Sequence, residues 1–385
     1  MMDRILIENA QIFLENQVIN NGYLLIDRGI IVNISKEHID VKDSVERIDG
    51  SDLSILPGFI DAHIHGANGS DIMDATESAL ETIALHLPCE GTTSFVATTI
   101  TQSEAKINHA LTTIGNYEKK QGEATLLGVH IEGPFIHPEK SGAHQTQYII
   151  PTSRDLWNQW QYVAKGKIKT ITIAPECDES NLISYLSDIG INVSLGHSTV
   201  NFQEVKTAVE KGVNQVTHLA NAMTGIHHRD VGAVGAAFLL DDLLVEIIAD
   251  QVHLSLEMLE ISYRQIGSSR MMLITDAMRA KGLQAGTYEL GGQSVKVENE
   301  KAYLKDGTIA GSVQTMIGNV KTMLGIPGVT LRDIVKMTAE NPAKQLKVFQ
   351  EKGSIAIGKD ADLVLLDANT DIAYTICEGT IAYER

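Results

Sequence analysis

The chain has 385 residues, 43% of them apolar and 21% charged, the balance of a folded protein rather than a disordered one. Lys+Arg of 31 against Asp+Glu of 49 gives a net charge of −18, which excludes general affinity for nucleic acid or anionic membranes and obliges any anionic ligand to find a local basic pocket. At roughly 150 residues per domain, the length suits two or three domains.

The opening MMDRILIENAQIFLEN carries Asp3 and Glu8 inside its apolar run and has no small-residue cleavage site, so it reads as a strand and not as a secretory signal. GYLLIDRG and IVNIS follow as further strands, punctuated by Gly, Asn and Asp. From residue 56 the pattern changes. Short apolar strands are predicted at 58–62, 94–99, 125–130, 170–174, 192–195, 214–217, 245–249 and 271–275. Between them lie helical stretches at 77–89, 103–120, 153–165, 179–188, 202–211 and 255–266. Eight such repeats predict an α/β protein with a (β/α)₈ TIM-like barrel, whose working residues sit at the C-terminal ends of the strands. An open doubly wound sheet is the rival, but no GxGxxG or P-loop follows a strand. The most apolar stretch, 231–240, is stopped by Asp241 and Asp242 and is too short to span a bilayer. Residues 286–311 read as an extra hairpin before the last helices. GSIAIGKDADLVLLD, IAYTICEG and TIAYER then return to β structure. A small β domain from residues 1–55 and 352–385 is therefore expected beside a catalytic barrel over 56–351. Cys89, Cys177 and Cys377 are far apart and form no CxxC, a usage that fits a reducing cytoplasm.

Several predicted strands end in metal-ligating side chains. His63 and His65 follow the first strand in PGFIDAHIHG, Glu132 the third in GVHIEGPF, His197 the fifth in VSLGHST, His218 the sixth in QVTHLANAM and Asp276 the eighth in MMLITDAM. In a barrel these ends converge on one mouth. The HxH spacing puts both imidazoles on the same side of a continuing strand. Neutral imidazoles and carboxylates suit Zn²⁺, and also Fe²⁺, Mn²⁺ or Co²⁺. Glu132 has two oxygens with which to bridge two ions, and Asp276 can coordinate an ion or take a proton from water. A lone His or Asp at a strand end is more often a cap or a core polar group, but five such ends together favour a metal centre. His38, His86 and His109 read as surface or helical residues, His137 as a loop residue, and His130 as a buried strand residue near enough to Glu132 to support it.

PGFIDAHIHG and GSIAIGKDADLVLLD resemble the amidohydrolase superfamily. GVHIEGPFIHPEKSGAH, TIAPE, VSLGHS, THLANAM, HHR, ADQVHL, ITDAM and GTIAGS resemble, more narrowly and nearly end to end, the N-acetylglucosamine-6-phosphate deacetylases. The resemblance implies a distorted (β/α)₈ barrel with a small β-sandwich domain built from both termini. It implies Glu132, His197 and His218 as metal ligands and Asp276 as the catalytic acid/base. The retained His63 and His65 resemble members able to hold two metals, so one or two divalent ions per chain are implied. Glu132 stands where many other amidohydrolases use a bridging carboxylated Lys, which counts against a dihydroorotase or hydantoinase. Substrate contacts would fall on Ala143, His144, Asn221, Ala222, Arg229, Asp250, His253, Ile309, Ala310 and Gly311, with His228 beside Arg229 and His144 aiding the oxyanion. The guanidinium fork of Arg229 suits a phosphate. In HHRDVG, Val231 stands where relatives often carry Pro. The implied reaction is hydrolysis of N-acetyl-D-glucosamine 6-phosphate to glucosamine 6-phosphate and acetate, in the cytoplasm, by a homodimer whose partner subunit completes the phosphate site. The competing readings are another amidohydrolase and a silent barrel acting as an interaction protein. The latter predicts lost ligands, and none is missing.

Overall fold

The computed structural model describes residues 4–41 and 44–385; residues 1–3, with the Asp3 invoked above, and Lys42 and Asp43 lie outside the described residues. Eight strands, Phe59–Ile64, Thr92–Thr99, Thr125–Glu132, Ile168–Ile173, Asn192–Leu195, Val213–Val216, Leu244–Ile247 and Met271–Leu273, pair in chain order and all in parallel. They are covered on both faces, so burial does not alternate along them: every residue of Phe59–Ile64 and Thr92–Thr99 is buried, the hydroxyls of the latter included. The eighth strand is short, and the ring closes beyond it. Ala277 bridges Ile64 in parallel, the Asp276 N–H donates to the His63 carbonyl at 2.9 Å, and the His65 N–H donates to the Ala277 carbonyl at 2.9 Å. Closure through a loop segment is what distorts the barrel.

The helices pack outside the strands. Ser153 caps Arg154–Val163 by accepting the Leu156 N–H, and Trp157 and Trp160 anchor that helix in the core. Asn201 and Glu204 form a capping box that starts Phe202–Glu210. The predicted helix at 179–188 begins only at Leu182, because the Asp178 carboxylate accepts the Leu182 and Ile183 N–H groups and holds the preceding residues in a turn. The apolar stretch at 231–240 is the helix Gly232–Leu239, which lies between its neighbours Phe202–Glu210 and Leu256–Ile266. Among the described residues no helix is long and apolar enough to cross a membrane.

A second sheet joins the two ends of the chain in the order Thr380–Glu384, Ile372–Cys377, Leu363–Leu366, Ser54–Pro57, Arg4–Phe13, Val18–Asp27, Ile30–Ser35, with Glu46–Asp49 also paired to Arg4–Phe13. It is hydrogen-bonded as one continuous sheet. Ile5, Ile7, Leu24, Ile26, Ile55, Leu363 and Leu365 gather in its own core, while Leu56, Val364 and Leu366, of opposite parity, join the barrel core. Where a hairpin was expected, three antiparallel strands form, Gly286–Leu290, Gln293–Glu298 and Lys301–Tyr303. This small sheet has its own apolar centre with Met278 and Ile100. It is tied to the barrel mouth where Gln293 Nε2 donates to the Ala143 carbonyl at 2.6 Å and Gln102 and Gln145 both donate to the Gly291 carbonyl.

Candidate metal centre and active site

The strand ends bring the predicted ligands together. Glu132 lies between two groups of histidines. Its Oε1 faces His218 Nε2 at 2.9 Å and His197 Nε2 at 3.3 Å; its Oε2 faces His65 Nε2 at 3.2 Å, His144 Nε2 at 3.5 Å and His63 Nε2 at 3.6 Å. Asp276 Oδ1 completes the second group, 3.2 Å from His65 Nε2 and 3.5 Å from His63 Nε2. All of these side chains are buried. His197, His218 and Asp276 take left-handed backbone conformations, with φ of 49°, 31° and 47°. Such residues cost on the order of 1–2 kcal/mol each, and here the turn swings each side chain off its strand toward the barrel axis. The TIAPE glutamate, Glu176, pins the turn after His197 by accepting from the Ser198 hydroxyl at 2.8 Å and the Thr199 N–H at 2.5 Å.

Hydrogen bonds on the far side of three of the rings decide what their near side offers. His65 Nδ1 donates to the Thr98 carbonyl at 3.1 Å, His197 Nδ1 to the Lys140 carbonyl at 2.7 Å, and His63 Nδ1 to a Glu246 carboxylate oxygen at 3.0 Å. Their Nε2 lone pairs therefore point at carboxylate oxygens, and His197 Nε2 lies 3.1 Å from His218 Nε2. Acceptors crowded in this way repel unless positive charge sits among them. His63 Nε2 is buried with no hydrogen-bond partner. The field has the same sign. Burial resists charging His63 and His65, yet Glu132 and Asp276 override it, pushing His65 up to about 9 and His63 well above its ordinary range. The donor set fits a divalent cation: among the described residues three groups have ligand atoms close enough to share one, His63, His65 and Asp276; Glu132, His144 and His197; and, sharing His63 with the first, His63, His130 and Glu246.

His144 is arranged the other way. Its Nδ1 faces two groups of Thr101 that can donate to it, the N–H at 3.3 Å and the hydroxyl at 2.7 Å, an arrangement that suits a proton on Nε2, the atom facing Glu132. Burial, helped by the neighbouring His197, lowers it to about 4 and keeps it neutral. His144 thus offers a donor to the pocket where the other rings offer lone pairs.

The cavity beside this cluster measures about 290 Å³. Ala143, His144, Asn221, Ala222, His253, Ile309 and Gly311 line it, as expected from the sequence. Asp250 does not; it accepts from His253 Nδ1 at 2.7 Å and so aims that ring. Ala310 is buried in the centre of the three-stranded sheet. His228 and Arg229 are exposed and line a separate depression with Asn201, Gln203 and Val231. Within one chain they are not brought to the cavity. Lys140 is there instead, its Nζ donating to the Met223 carbonyl at 3.1 Å. Lys140 was not singled out in the sequence, although it lies inside the PEKSGAH motif.

Three buried acidic residues beneath the mouth were also missed. Glu246, within the strand Leu244–Ile247, is fully buried and bonds His63. Asp61 and Glu90 share the buried Lys281 ammonium, at 4.0 Å and 2.6 Å. For Glu246 and Asp61 the signal available was a charged residue inside a buried strand, which is rarely buried without a partner; Glu90 ends the turn Leu87–Glu90 and offered no such signal.

Comparison with known proteins agrees with this geometry. The family model described as "Amidohydrolase family" matches residues 54–383. The chain belongs to the amidohydrolase family. Within it, an N-acetylglucosamine-6-phosphate deacetylase from Bacillus subtilis (strain 168) is 42% identical over 388 residues, covering 100% of this chain and 98% of that protein. An N-acetylgalactosamine-6-phosphate deacetylase from Escherichia coli O157:H7 is 32% identical, covering 85% and 87%. The crystal structure of N-acetylglucosamine-6-phosphate deacetylase from Pasteurella multocida superposes with a TM-score of 0.92 at 30% identity, covering 98% of this amidohydrolase and 99% of that chain.

Proposed function

We propose that this amidohydrolase hydrolyses the N-acetyl amide of N-acetyl-D-glucosamine 6-phosphate, yielding D-glucosamine 6-phosphate and acetate. The observation that carries the reading is the convergence of five buried histidines, His63, His65, His144, His197 and His218, on the Glu132 carboxylate at the barrel mouth. The glucosamine form is preferred to the galactosamine form because the 42% identical full-length relative carries the former name and the 32% identical relative the latter.

Glu132, His197 and His218 would hold one cation, and His63 and His65 with Asp276 a second. When bound, a divalent cation supplies Lewis acidity, polarising the amide carbonyl and making water a stronger acid at neutral pH. The remaining work falls to side chains. Although burial opposes it, positive charge on the neighbouring His63 and His65 side chains holds the Asp276 carboxyl well below the usual range. Asp276 takes the proton of the attacking water and passes it to the departing amine nitrogen. His144 Nε2–H donates to the carbonyl oxygen as negative charge develops there. Asp250 orients His253 on the cavity wall, and the Asn221–Ala222 turn and the Ile309–Gly311 segment border the sugar. Arg229 and His228 lie outside their own cavity, which supports a homodimer in which they reach the partner's phosphate. Three sparse cysteines and the absence of a disulfide favour a cytoplasmic setting.

The test is acetate release from N-acetylglucosamine 6-phosphate by metal-analysed protein, with the unphosphorylated sugar and the galactosamine epimer alongside. Fast release from the first substrate alone is expected. No release by fully metallated protein would overturn the proposal.

A further inference from the structure

Glu246 stands apart from the other buried acids. It is fully buried on the seventh barrel strand, whose other residues are apolar. Its Oε1 accepts from Gln215 Nε2 at 2.6 Å; its Oε2 accepts from His63 Nδ1 at 3.0 Å and from the main-chain N–H of His218 at 3.2 Å. Burying a carboxylate costs several kcal/mol. The Gln215 amide and the His218 N–H are neutral donors, and an amide oxygen would satisfy them equally well. Of its three partners, only His63 gains from a full negative charge. A carboxylate on Nδ1 fixes the ring's tautomer and rotation and makes Nε2 a stronger base. That Nε2 is the buried atom with no partner, and it faces Glu132 and Asp276.

We infer that Glu246 is a positioning residue that makes His63 a cation ligand and, through the shared oxygen Oε2, ties His63 to the turn that carries His218. The inference rests on the proposed metal centre and adds to it a residue that never touches the ion. It also accounts for a charged residue in a strand whose other positions are apolar.

The inference is separable from the reading beneath it by a double-mutant cycle on metal affinity. Glu246→Leu, Glu246→Gln, His63→Ala and the double variant Glu246→Leu/His63→Ala would be titrated with Zn²⁺ against a chromophoric chelator, with circular dichroism to establish that each is folded. His63→Ala measures how much affinity depends on that ring. Glu246→Leu should cost about 10–100-fold. Glu246→Gln, which keeps an acceptor without the charge, should cost less, and it serves in place of Glu246→Leu if the latter does not fold. In the His63→Ala background the Glu246 substitution should have almost no further effect. A purely structural role would give an undiminished effect in that background, and this would overturn the inference. Unchanged affinity in Glu246→Leu would overturn it too. If His63→Ala itself leaves Zn²⁺ binding unchanged, the ligand reading of His63 fails and the inference falls with it.

Discussion

Lys281→Met is the substitution with the largest calculable consequence outside the metal centre. The Lys281 ammonium is fully buried, 2.6 Å from Glu90 Oε1 and 4.0 Å from Asp61 Oδ2, and both carboxyl groups are buried too. At an effective dielectric constant of about 20 the two attractions are worth about 6 and about 4 kcal/mol. Lys281's own desolvation, several kcal/mol, offsets much of that, and the net loss on breaking such a buried pair is about 3–5 kcal/mol. For 385 residues the unfolding entropy near 60 °C is roughly 0.8 kcal/mol/K, so Tm should fall by about 4–6 °C at pH 8. The loss should depend on pH. Burial pushes Asp61 up to about 6 against the pull of Lys281, from an ordinary 3.8. A raised carboxyl contributes stability in its protonated form: the contribution is complete below 3.8 and is lost as pH rises through about 6. Without Lys281 the Asp61 carboxyl titrates higher still, so at pH 5 it is protonated and the missing cation matters less. Scanning calorimetry at pH 5 and pH 8, on both proteins, measures the difference directly. A Tm loss below about 1 °C at pH 8, or one equal at the two pH values, would refute the reasoning.

Asp276→Asn keeps the side-chain shape but cannot accept a proton; steady-state kinetics should show kcat lower by about 10²–10⁴-fold with KM little changed. Arg229→Ala should mainly raise KM and shrink the preference for the phosphorylated sugar. If its partner's cavity uses it, mixing Arg229→Ala with Asp276→Asn subunits should, at substrate concentrations well below the raised KM, give more activity than the two variants assayed separately. His197→Ala should lose bound metal and activity together while the far-ultraviolet circular dichroism stays unchanged, because the ring ends a strand rather than packing between strands.

The strand ends were legible because polar groups at the edges of apolar runs are visible along one dimension. Glu132, His197, His218 and Asp276 each interrupt such a run, and Asn192–Leu195 coincides with its predicted bounds. Glu246 was not legible. It lies mid-strand, and its partner His63 is 183 residues away. The basic run at 227–229 was recognisable as a cluster, but nothing in it says that the loop projects away from its own cavity. The Gly232–Leu239 helix gave no periodic signal because every residue in it is apolar or small, so no polar face marks the helical repeat. Lys281 reads as an ordinary surface lysine in AMRAKGL; its burial depends on Glu90 and Asp61, which only the closed ring supplies.

The terminal sheet has a consequence for how the protein is made. Pro57 pairs with Leu363, and Ser54 with Leu366, so the strand Ser54–Pro57 leaves the ribosome about 300 residues before its neighbour. At about 5–20 residues per second, that edge waits roughly 15–60 s with its main-chain donors and acceptors open to any passing strand. The barrel core also waits on this strand, since Val364 and Leu366 are part of it. The late strand Leu363–Leu366 therefore covers an edge left open since Ser54–Pro57 was made. Chains stopped before Leu363 should accumulate in the insoluble fraction, and a trigger-factor-type chaperone supplied during translation should raise the soluble yield of the full-length protein more than the same chaperone added after release.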